Sequence, residues 1–179
     1  MAQGAPRIAY SAPILKKSTN HHIIMGYYVS IEESTFMIPA ENLDAAYKAM
    51  CELNYTVPNS QKRGGSYPDK DKAPEYGPHK SCWFSWMDWN YHETCKDAEK
   101  ILQEVGFYTS IGENGNLHID GYDSKTGQED LFLKSICSLA KGYIVWKGEE
   151  GEYWGETYGG DRVIVKERSR HVFCDLVTP

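Results

Sequence analysis

An α+β fold, with three helices packed on a largely antiparallel sheet, is predicted by three features of the 179-residue sequence. Short runs rich in β-branched and aromatic residues are separated by glycine-containing turns too short for a crossover connection. Three other segments carry apolar residues at helical spacing. Their order begins strand, turn, strand, helix, unlike the strict strand-helix alternation of a parallel sheet.

Residues 23–31 and 35–38 read as the first two strands, followed by a helix over 40–53 with Leu43, Ala46, Tyr47, Met50 and Cys51 on one face. A second helix is predicted over 93–105, with Asn90 as N-cap and Gly106 as its stop. Residues 107–111 and 116–121 form a hairpin about the glycine-framed turn 112–115. A third helix opens on the capping box Thr126-x-x-Glu129 and buries Leu131, Phe132, Ile136, Leu139 and Ala140 before Gly142. Strands at 143–147, 152–158, 162–168 and 171–177 then follow as sequential antiparallel neighbours.

Two segments resemble each other: GYYVSIEE at 26–33 with MCEL at 50–53, and GFYTSIGE at 106–113 with ICSL at 136–139. The pattern suggests duplicated ββα units, with about six extra residues in the second copy near 121–127. Residues 1–24 read as an N-terminal extension and 25–179 as a single domain holding a long loop at 56–80.

Formal net charge is −6, which argues against a general binder of phosphate backbones. The acidity is local: residues 104–161 carry 11 acids against four lysines, a net −7, and the remainder is close to neutral. Such a segment repels nucleic acid and suits a basic protein surface. The five cysteines are odd in number and unpaired in spacing, and no apolar run reaches membrane-span length. Both features predict a cytoplasmic protein, in a bacterial host on the resemblance given below.

The loop at 56–80 holds four prolines, three glycines and no hydrophobic period, and is locally +2. It reads either as a tolerated insertion or as a binding loop offering Lys62, Arg63, Lys70 and Lys72. The hairpin beyond the third helix adds Trp146, Glu149, Glu150, Glu152, Trp154 and Glu156, an aromatic and acidic set suited to an arginine-rich partner. Together these are the expected partner-binding residues.

A second candidate site lies in the cluster at 82–91, with five aromatic residues in ten. Core packing is one use of such a run. The other is a slot for a nucleotide or sugar, lined by Trp83, Trp86, Asp88 and Trp89 together with Tyr122, Asp123 and Lys125. His79-x-x-Cys82 and His92-x-x-Cys95 formally offer two nitrogens and two sulfurs to zinc, without the glycine knuckles of a zinc ribbon. No cofactor and no metal is predicted. No nucleophile elbow, dinucleotide fingerprint or paired-carboxylate motif stands out, so the reading leans away from an enzyme.

At WFSWMD (83–88), GYDSKTGQED (121–130) and YIVWKGEEGEYW (143–154) the chain resembles a group of uncharacterised small α+β proteins of bacteria, phages and mobile elements, over about residues 25–163. By analogy of lifestyle, the resemblance implies an inhibitor of host defence of the anti-CRISPR type, acting by stoichiometric binding. The expectation is therefore a non-enzymatic protein-binding module directed at a bacterial defence nuclease, with no membrane contact and no direct binding of nucleic acid. The alternative is a small-ligand binder or enzyme.

Overall fold

A computed structural model describes residues 27–159 and the backbone of 163–167. In chain order the elements are β1 (Tyr28–Ser34), β2 (Met37–Ile38), α1 (Leu43–Thr56), β3 (Gly64–Gly65), β4 (Cys82–Trp83), α2 (Tyr91–Thr94), α3 (Ala98–Val105), β5 (Tyr108–Ile111), β6 (Leu117–Gly121), β7 (Asp123–Lys125), α4 (Glu129–Ser135), β8 (Gly142–Gly148), β9 (Tyr153–Tyr158) and β10 (Val163–Glu167). The fold is α+β with antiparallel sheets. Five strands form one sheet in the order β10-β9-β8-β1-β7, three form a second as β2-β6-β5, and β3 pairs with β4. The run 171–177 lies outside the described residues.

β8, β9 and β10 are the expected sequential neighbours, with Trp146 opposite Trp154 and Ile144 opposite Glu156. Side chains facing each other across a ladder share a face. Ile144, Trp146, Trp154, Glu156 and Tyr158 therefore form one surface, against which Leu133 of α4 closes. α1 packs on α2, α3 and α4, and its Met50 is wholly buried. Phe84, Tyr91 and Phe132 meet edge to face with centroids 5.2–6.0 Å apart, joining the aromatic run to α2 and α4.

Three expectations need correction. The predicted helix at 93–105 is two helices, interrupted where Cys95 and Asp97 take extended backbone; the Tyr47 hydroxyl lies within hydrogen-bond reach of the carbonyls left there, Cys95 O at 3.0 Å and His92 O at 3.4 Å. Asp97 then caps α3 by accepting from Lys100 N at 2.8 Å, the role expected of Asn90. The third helix starts at Glu129, directly after Gln128, and the expected capping box is not made: Thr126 N donates to Tyr27 O in the sheet, and Glu129 Oε2 accepts from Gly127 N at 2.6 Å instead. The stretch expected as a connection near 121–127 contains β7, which completes β1 with Tyr28 opposite Lys125 and Lys125 Nζ 5.5 Å from the Tyr28 ring. In the two similar segments β5 pairs with β6, whereas β1 and β2 lie in different sheets.

Candidate functional site

Residues 57–80 are folded onto the domain. Asn59 donates from its side chain to Pro74 O and from its backbone to Glu75 O. Lys62 is wholly buried, its Nζ donating to Asn54 O (3.2 Å), Asn54 Oδ1 (3.0 Å) and Gly77 O (3.2 Å). Three donors meet three oxygens with no carboxylate beside them, and this burial lowers the lysine pKa to about 8. Lys70 Nζ donates to Lys62 O and Gly64 O. These two lysines pin the segment from within, which corrects their expected role as outward partner contacts; Lys72, in a 3.7 Å pair with Asp69, is exposed.

Gln128 joins this segment to the aromatic run. It is 6% exposed, and its Oε1 accepts from Arg63 N (2.7 Å) and Ser85 N (3.4 Å) while its Nε2 donates to Gln61 O (3.1 Å). Beside it, Arg63 Nη1 donates to Gly127 O at 2.7 Å. Segments from three parts of the chain thus converge on the first step of α4.

On this base stands Trp86. Its backbone has φ 69°, the left-handed region that bulky residues rarely occupy, and its side chain is 63% exposed. The indole lies over Gly127, where a Cβ would come within 2.9 Å of Cδ1. Trp89 is 37% exposed and Asp88 faces solvent three residues from the fully buried Tyr91. Asp88 N donates to Glu104 Oε1 at 3.4 Å, and both residues border an open trough of about 570 Å³ lined also by Cys95, Asp97 and Lys100.

The remaining expected ligand residues are placed elsewhere. Trp83 is half-buried against Gly64 and Tyr122 is 2% exposed, with its ring against Phe107 and Trp146 and its hydroxyl on Lys125 O. Asp123 and Lys125 belong to β7. Tyr122 therefore packs the core, which removes it from a binding slot.

Of the expected acidic and aromatic hairpin, Glu149 and Glu150 are exposed, and Glu149 Oε2 accepts from Tyr28 N. Glu152 is half-buried, while Glu156 is buried and accepts from the Tyr158 hydroxyl at 2.5 Å. Trp146 is buried and stacks on the half-buried Trp154 at 6.1 Å and 11°. Trp146 and Glu156 thus turn inward, correcting the expectation of a continuous outer surface: the inner-face register claims them for the core.

His92 Nδ1 faces Asn54, Cys82 Sγ lies 3.9 Å from Lys70 O, and His79 Nδ1 accepts from Ser81 N. Among the described residues no group of three or more histidine, cysteine or acidic side chains gathers around a metal position, and no helix is long and apolar enough to cross a membrane.

Sequence reasoning included Trp86 in its aromatic set but missed Gln128 and Gly127. A buried glutamine at a helix start and a glycine beneath a tryptophan leave no local pattern. No protein-family model, curated protein or solved structure matches the chain.

Proposed function

We propose that the chain is a non-enzymatic protein-binding module, a stoichiometric inhibitor of the kind that phages and mobile elements direct at a bacterial defence nuclease, and that Trp86 is the centre of its contact surface. The observation supporting this reading is the exposure of Trp86 in left-handed backbone. Holding a non-glycine residue there costs about 1–3 kcal/mol, and an indole left in water returns little of it. A partner covering the exposed part of a tryptophan gains roughly 3–4 kcal/mol from apolar burial. Tryptophan on a rigid base is the usual form of an interface anchor.

Trp89 and the Asp88–Glu104 trough extend the surface beside the anchor. The net charge of −6 favours approach to a basic, nucleic-acid-binding partner, with exposed Glu149 and Glu150 contributing to steering at a distance.

The test is complex formation and inhibition of cleavage with a panel of purified defence nucleases. Trp86→Ala is expected to weaken binding at least tenfold, and Glu149→Lys with Glu150→Lys to slow association and reduce its salt dependence. No complex and no inhibition across the panel would overturn the inhibitor reading, while a complex indifferent to Trp86→Ala would remove Trp86 from the interface.

A further inference from the structure

The polar groups around Lys62 fix one another's orientation by elimination. An ammonium has donors only, so the Asn54 side-chain atom 3.0 Å from Lys62 Nζ is the carbonyl Oδ1. The amide Nδ2 therefore points the other way, where it lies 3.0 Å from His92 Nδ1. An amide NH₂ group only donates, so Nδ1 accepts and the imidazole proton resides on Nε2, 3.7 Å from Glu93 Oε1. One histidine tautomer, one amide orientation and one buried lysine form a single chain of dependence.

We propose that His92 is an acid-sensitive latch: a solvent proton taken up at Nδ1 sets N–H against the Asn54 NH₂ and loosens residues 57–80 on α1, leaving Lys62 Nζ and Gly77 N only the backbone oxygen of Asn54 to hold. Asn54 relieves the conflict by turning over only if it presents Nδ2 to the Lys62 ammonium, where two donors oppose each other. Neither orientation of Asn54 satisfies both neighbours once His92 is charged.

The groups facing His92 set the direction of its titration. Burial disfavours the imidazolium, Glu93 on α2 favours it, and Lys62 from the 57–80 segment disfavours it, for a net shift below the ordinary histidine value. Tyr55 of α1 and the neighbouring Tyr91 meet the ring edge to face at 5.9 and 6.0 Å. Because the folded state resists the proton, the latch is closed above about pH 6.5 and opens as the pH falls through the depressed value.

The loosened segment includes Arg63, whose guanidinium holds Gly127 O beneath Trp86. Acid thus also loosens the seat of Trp86, a consequence for partner binding that rests on the docking reading above; the latch itself does not.

Hydrogen exchange of the full chain at pH 7.5 and 5.0, corrected for intrinsic rates, tests the latch without a partner. Peptides from 57–80 are expected to exchange at least tenfold faster at pH 5.0, with α3 and β8 unchanged. His92→Asn, whose Oδ1 sits on Cγ as Nδ1 does and keeps an acceptor for Asn54 but takes up no proton, should abolish the step. Equal protection at the two pH values, or a step that persists in His92→Asn, would overturn the proposal. Imidazole nitrogen shifts of the unaltered protein at pH 7.5 give a check that needs no variant: protonated Nε2 and bare Nδ1 are expected, and the reverse tautomer would sink the latch. Partner binding by Trp86→Ala at pH 7.5 is a separate readout, so docking can fail while the latch stands.

Discussion

Trp86 and Gly127 are shaped to each other: the indole occupies the space where residue 127 would carry its Cβ, with Cδ1 at 2.9 Å and Nε1 at 3.0 Å from that position. Gly127→Ala is therefore expected to push the exposed ring aside. A half-free ring moves at small cost, so stability should change by no more than about 1 kcal/mol. The indole NMR signal of Trp86 should shift clearly while those of buried Trp146 and the other tryptophans stay in place; an unmoved Trp86 signal would mean that the contact is not kept in solution.

Gln128→Leu removes the acceptor of Arg63 N and Ser85 N and the donor to Gln61 O. Leaving these groups without partners should cost about 2–4 kcal/mol, read from urea unfolding. A loss below 0.5 kcal/mol, on the order of an ordinary surface change, would show that water substitutes freely.

Lys62, with its pKa lowered to about 8, makes a signed prediction. The unfolded chain binds its lysine proton up to about pH 10.4, the folded chain only to about pH 8, so this group adds stability as the pH rises between those values. The gain is at most about 3 kcal/mol. It should appear as a positive difference in the pH slope between the unaltered protein and Lys62→Met, and identical slopes would place the ammonium in contact with water.

Tyr91→Phe deletes a hydroxyl that donates to Met50 O at 2.8 Å inside the core, where burial raises the phenol pKa far above its ordinary range. The expected loss is about 1 kcal/mol with the fold retained. No absorbance change from phenolate at Tyr91 is expected below pH 11 in the folded protein.

What the sequence made legible follows from how local each signal is. The β8–β10 meander, α1 and the β5–β6 hairpin have their apolar period and turn glycines within a few residues of one another, and the structure has them as expected. The order of residues 57–80 escaped because it depends on Lys62, Asn59 and Gln128, polar residues whose partners are set by tertiary contacts and not by any period. β7 escaped because three polar residues become a strand only through the edge that β1 offers. At the candidate site the sequence exposed the aromatic density but not the geometry. Left-handed backbone is forecast by glycine or asparagine, so a tryptophan at φ 69° runs against the rule that would have marked it.

The position of β1 also bears on how the chain is made. It lies between β8 and β7, pairing Val29 with Gly148 on one side and with Ser124 on the other. During synthesis neither neighbour exists when β1 leaves the ribosome, and the second edge stays open until residue 148 has emerged. The nascent chain therefore carries an unpaired, partly apolar strand through most of its translation. Shielding of that strand, by a chaperone or by early collapse of α1, becomes a condition for yield, and truncations ending before β8 should accumulate as aggregates.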